Sequence, residues 1–138
     1  MSTNIRPEIS NRKPYSIEKE KYYELKHFCL QYPSWKKERS KIFKEIGGSY
    51  EMGEPICDSK IANPTEEAAI KLSELSYKMK LVENTAKEAD EEIGPYVLLV
   101  VTGVATYQYL KTRMQIPYSR DIFYEVYRRF FWLLAQKR

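Results

Sequence analysis

Residues 103–138 read GVATYQYLKTRMQIPYSRDIFYEVYRRFFWLLAQKR, and this stretch decides the fold. Val104, Tyr107, Leu110 and Met114 recur at three- and four-residue steps, which predicts a helix from about Val104 to Met114 with that set turned inward. Ile116-Pro117 ends it, because proline cannot continue a helix. Ser119 can then cap a second helix, with Asp121 in the first turn, where the helix dipole favours an acid. At roughly 100° per residue, Phe130 and Leu134 fall within about 20° of Phe123 and Tyr127 within about 40°. Ile122, Val126, Phe131 and Leu133 flank this apolar set. Near about 160° on the other side lie Asp121, Glu125, Arg128 and Trp132, bordered by Tyr124 and Arg129.

Working outward, Asp90-Glu91-Glu92 opens a short helix holding the apolar block Tyr96–Val101, and Gly94-Pro95 marks its start. Before it, Asn63-Pro64-Thr65-Glu66 has the form of a capping box with proline at the first helical position. Ala68, Leu72, Leu75, Met79, Val82, Ala86 and Ala89 follow in alternating four- and three-residue steps, a heptad seam. Two readings of the seam stand open: an antiparallel hairpin within the chain, or a coiled coil between chains through Leu72, Leu75, Met79 and Val82. Residues 47–63, with three glycines and a proline, form a long connection. Upstream, Ser16 caps a helix through Tyr22, Leu25, Phe28, Cys29 and Tyr32. Pro33 forces a kink or restart, and a segment through Trp35, Arg39, Phe43 and Ile46 stops at Gly47-Gly48. Residues 1–15 read as a flexible arm.

The expected fold is therefore all-α. It has an arm over residues 1–15, an N-terminal helical hairpin over 16–89 and a C-terminal helix-turn-helix over 90–138. No apolar run approaches the roughly 20 residues of a membrane span, and MSTNIRPEIS lacks a signal-peptide core, so a cytoplasmic location without membrane contact is expected. Cys29 and Cys57 make neither a disulfide framework nor a metal-ligand spacing. The single histidine, His27, has no triad partner at a motif-like spacing. No glycine-rich phosphate loop or metal motif occurs either. Neither catalysis nor a cofactor is expected.

The charge is unevenly spread. Residues 1–44 carry 11 basic and 5 acidic side chains, 45–103 carry 5 and 12, and 104–138 carry 7 and 2. Basic ends flanking an acidic middle suit an approach to a polyanion from the ends. On the second C-terminal helix, Arg128 has the fork that matches guanine, and Asp121 or Glu125 can accept from cytosine. Tyr124 reaches a phosphate or a thymine methyl, and Arg120 at the helix start joins this base-reading set. Lys111, Arg113 and Arg129 are placed as phosphate contacts, which position the protein without specifying sequence. Trp132, apolar on a polar face, points to contact with another helix, subunit or the N-terminal arm.

The segment resembles the helix-turn-helix of sigma-factor region 4 in Gly103-Val104-Ala105-Thr106-Tyr107, Leu110 and Ile116-Pro117. From about Tyr22 to Gln136 the order of parts resembles the RinA/ArpU-type transcriptional regulators of phages. The likeness includes Gln31-Tyr32-Pro33-Ser34-Trp35 in an N-terminal helix and the middle helix after Asn63. It implies a phage or prophage regulator, a late-gene activator, that binds double-stranded DNA as a homo-oligomer. Two departures stand out: Gln115 replaces the usual turn glycine, and the turn is longer at Tyr118-Ser119-Arg120-Asp121. Two other readings keep a helical, oligomerising architecture: a packaging adaptor resembling a small terminase subunit, and an interaction module for RNA polymerase.

Overall fold

Helix formation begins where the apolar steps begin. A computed structural model describes residues 15–45 and 66–138. Helix α1 spans Lys19–Leu30 and buries Tyr22, Leu25, Phe28 and Cys29. Its N-cap is Glu18, not Ser16, and no side chain caps it. The backbone closes the first turn through Tyr22 N–H to the Glu18 carbonyl at 2.9 Å. Gln31 turns the chain and α2 runs Tyr32–Glu45. The restart predicted from Pro33 is thus present, with proline in the first turn, where its missing N–H is harmless. The glycine stop, the 47–63 connection and the Asn63 capping box lie outside the described residues.

Helix α3 spans Glu66–Ala89, α4 Gly94–Val101, α5 Tyr107–Thr112 and α6 Arg120–Lys137. Every regular element among the described residues is a helix, so the protein is all-α. No helix among them is long and apolar enough to cross a membrane.

The chain divides into two compact units, and the division does not fall at residue 90 as expected. One unit is Tyr32–Leu81, which contains α2 and the first part of α3. There Lys71 pairs with Glu38 at 3.4 Å, and the Lys78 ammonium sits 5.6 Å from the centre of the buried Trp35 ring. The later α2 residue meets the earlier α3 residue, so the two helices run antiparallel. Leu75 and Met79 are buried in this unit.

The other unit joins the chain up to Gln31 with Val82–Arg138. Here α1, α4 and α6 pack on one another. The reason lies in α1, whose inward residues complete the apolar side of α6. The Tyr22 ring meets Phe131 edge-on at 5.0 Å, and the Tyr22 and Tyr127 hydroxyls share a buried hydrogen bond of 2.9 Å. Burying a large side chain of this kind contributes about 1.5–3 kcal/mol, and Phe123, Phe130, Phe131 and Leu134 are all buried. Between α3 and α4, Asp90 Oδ1 accepts from the amides of Glu92 and Ile93 at 2.8 Å, and the helix proper starts at Gly94. Gly94 is buried against α3, where a β-carbon would run into the Ala86 carbonyl oxygen.

The heptad seam is covered within the single chain. Leu75, Met79, Val82, Ala86 and Ala89 are buried and Leu72 is half-buried. Of the two readings of the seam, the burial of Leu75, Met79 and Val82 favours packing within the chain, since side chains already removed from water offer a partner little apolar surface.

Candidate nucleic-acid interface

The local structure around α5 and α6 is set by two caps and one reversal. After α4, Gly103 adopts φ +81, and the amides of Val104 and Ala105 return to the Leu99 carbonyl at 2.9 and 3.1 Å. Thr106 then caps α5, its hydroxyl accepting from Tyr109 N–H at 3.1 Å. The expected helix from Val104 to Met114 is therefore only Tyr107–Thr112. Of its expected inward set, Leu110 is buried and Tyr107 half-buried, but Val104 is 63% exposed and Met114 47%. Both lie outside the helix, one before the Thr106 cap and one beyond its last turn.

Residues 113–119 connect the two helices, a longer link than the three or four residues of a tight helix-turn-helix. Gln115 reverses the chain with φ +56, the left-handed region that glycine favours. The reversal lets Ile116 N–H donate to the Leu110 carbonyl at 3.2 Å and buries the Ile116 side chain. Two side chains of α5 hold the link down. Tyr107 Oη donates to the Tyr118 carbonyl at 3.1 Å, and Lys111 Nζ donates to the carbonyls of Tyr118 and Ile116 at 3.3 and 3.4 Å. Lys111, expected as a phosphate contact, therefore also acts as a strut of the turn. Tyr118 leans on Tyr96 at 6.1 Å, and its hydroxyl is pushed above its usual range by desolvation and by the carboxylates of Glu92 and Asp90.

Ser119 caps α6 as expected, its hydroxyl accepting from Ile122 N–H at 3.3 Å, with Asp121 in the first turn. Phe123, Val126, Tyr127, Phe130, Phe131 and Leu134 are buried, so the inward face is the predicted set with its expected flanks Val126 and Phe131. The outward face is rotated from its expected centre. Tyr124, Arg128 and Trp132 are half-buried, whereas Arg120, Asp121, Ile122, Glu125 and Arg129 are exposed. Rings explain two of the three. Tyr124 is flanked by Tyr107 at 5.8 Å and Tyr127 at 5.2 Å, with the Arg120 guanidinium 5.5 Å from its centre. Trp132 rests on Tyr15 at 5.7 Å, which gives it a partner within the chain. Asp121, Glu125, Arg129 and Ile122 thus span about 160–260° around the helix, centred some 50° from the expected face. Ile122 was expected to flank the core, yet it is 50% exposed. Ile122 sits in the first turn of α6, on the side away from the buried Phe123.

The charges divide along α6. At its C-terminal end Lys137 pairs with Glu88 at 2.8 Å, and Arg138 pairs with Glu24 at 3.3 Å while stacking 3.9 Å from the Phe28 ring centre. The Lys21 hydrogen bond, aided by the Arg138 charge, holds the Glu24 carboxyl below its usual range. Arg129 borders an open cleft of about 600 Å³ shared with Lys87, Glu88, Asp90 and Glu91. The acids there work against a polyanion. Arg120 at the N-terminal end and Arg113 at the C-cap of α5 are exposed and form no ion pair among the described residues.

No group of three or more His, Cys, Asp or Glu side chains among the described residues is arranged to hold a metal ion. Cys29 is buried in α1, and burial pushes its thiol up to about 12. His27 is exposed. Comparison with protein-family models, with curated proteins and with solved structures finds no match for the chain.

Proposed function

We propose that this chain is a sequence-specific double-stranded DNA-binding protein, a transcriptional regulator of the RinA/ArpU type from a phage or prophage. In this reading α5 and α6 act as a helix-turn-helix with a lengthened turn, and α6 enters the major groove. One observation carries the reading. The first two turns of α6 bury Phe123, Val126 and Tyr127 in the aromatic core and turn Arg120, Asp121, Ile122 and Glu125 to solvent. Recognition helices read bases with their N-terminal residues, so this end is the useful one. Asp121 and Glu125 accept from cytosine, and Arg120 and Arg128 donate to guanine or phosphate. Arg113 and Lys111 hold the backbone, with Arg129 at the edge of the contact. The position of Gln115 adds support: where the family's turn glycine is missing, the backbone still takes the conformation that glycine favours.

A second reading has its own observation. Val104, Tyr109 and Met114 are exposed apolar side chains around α5. Tyrosine and methionine are enriched in protein interfaces, and a protein partner such as RNA polymerase would cover them. An activator uses both surfaces, so this reading extends the first. Homo-oligomerisation belongs to the proposal as well; a ring of many subunits in solution would favour the packaging adaptor instead. In-vitro selection from a random duplex pool, repeated across salt, tests the reading. An enriched motif bound in a salt-dependent way supports it, and a flat pool rejects it.

A further inference from the structure

The proposed DNA contact leaves one exposed side chain without a role. Ile122 is 50% exposed on the first turn of α6, between Asp121 and Phe123 in sequence and beside Glu125 and Arg129 around the helix. The other exposed apolar side chains of this region, Val104, Tyr109 and Met114, lie on α5 or in its flanking links. Ile122 alone lies on the long helix, at the edge of a stripe that is otherwise charged. Its backbone is also fixed, because its own amide donates to the Ser119 cap. The side chain is therefore presented from a rigid first turn and costs little further ordering on contact. An apolar group at the border of a charged stripe matches one feature of the major groove. Among the four bases, only thymine presents an apolar group there, its C5-methyl, amid donors and acceptors.

Resting on the DNA-binding reading above, we propose that Ile122 is a specificity-determining residue that packs on a thymine methyl. Asp121 and Glu125 accept from the amino groups of neighbouring cytosine or adenine. The bound site thus contains at least one thymine read by shape and apolar contact rather than by a hydrogen bond.

Deoxyuridine tests this directly, since it differs from thymidine only by that methyl. Each thymine of the selected duplex is replaced in turn by dU, and affinity is measured by fluorescence anisotropy with wild-type protein and with Ile122→Ala. Wild type should lose about threefold to tenfold at one position, the worth of roughly one buried methyl group or a little more. Ile122→Ala should bind the thymine and dU duplexes alike at that position. The variant should melt within about 1 °C of wild type, because an exposed substitution costs little. Uniform binding of every dU duplex by wild type, or a dU penalty that persists undiminished in Ile122→Ala, would overturn the assignment while leaving DNA binding intact. Failure to select any sequence would overturn both this assignment and the reading it rests on, and would turn Ile122 over to a protein partner.

Discussion

Gln115 shows how much one dihedral angle can decide. At φ +56 a side chain with a β-carbon is held where it costs about 1–2 kcal/mol, and the reversal of the chain into Ile116 depends on it. Gln115→Gly should therefore raise stability by about 0.5–1 kcal/mol, the relief of strain less the entropy glycine loses on folding. Gln115→Val should lower it by about 1 kcal/mol or more, since β-branched residues resist this region. Urea denaturation of the two variants reads both signs, and equal midpoints would mean the turn is not held left-handed. The sequence marks this residue only by the absence of a glycine. Cys29 poses a residue question of another kind. Its thiol is buried and its ordinary value of 9.0 is raised to about 12. The neutral form is favoured in the fold, so its contribution to stability is complete below about pH 9. It is lost as pH rises from there toward about 12. In a Cys57→Ser background, Cys29 should resist iodoacetamide at pH 8 until the protein unfolds, and the urea midpoint should fall between pH 8 and pH 10. Rapid alkylation of the native protein would place the thiol at the surface.

At the scale of elements, the Ser119 cap and Pro33 were legible in the sequence because they act locally, whereas Ser16 does not cap α1 and the Thr106 cap was not foreseen. Pro33 restarts a helix and Ser119 begins α6, each by chemistry confined to one turn. Ser119→Ala should cost about 1 kcal/mol of stability, measured by thermal melting, and no loss would mean the Ile122 amide finds another acceptor. What local pattern cannot give is how far a helix runs when a competing cap intervenes. The apolar steps of Val104 to Met114 continue past both ends of α5, yet Thr106 and the Gln115 reversal confine it to Tyr107–Thr112. The approach of α4 to α3 is equally silent in the sequence. Gly94 reads there as a helix start, and only the packed helices show the Ala86 carbonyl occupying the space of a β-carbon. Gly94→Ala should destabilise by about 1–3 kcal/mol through that collision, although alanine is the better helix former. A stabilised Gly94→Ala protein would contradict the close approach.

For the whole molecule, the helical class followed from periodicity, but the partition did not. The hairpin expected over 16–89 pairs the N-terminal helical segment, α1 included, with the middle helix, whereas α1 completes the core of α6 through Tyr22, Phe131 and Tyr127, about 105 residues along the chain. Amphipathicity says that a face will be covered and not by what. The same limit applies to the candidate site. The charged stripe of α6 was visible, but its true centre depended on which flanks Tyr107 and Tyr15 would cover. The proposed function is a statement about specificity, and the ratio of two affinities tests it most directly. The dissociation constant for the selected duplex should be compared with that for a shuffled duplex of equal length and composition, at about 150 mM salt. Sequence-specific regulation predicts at least about a thousandfold preference for the selected duplex. Equal affinity for the two, at any salt concentration, would contradict it.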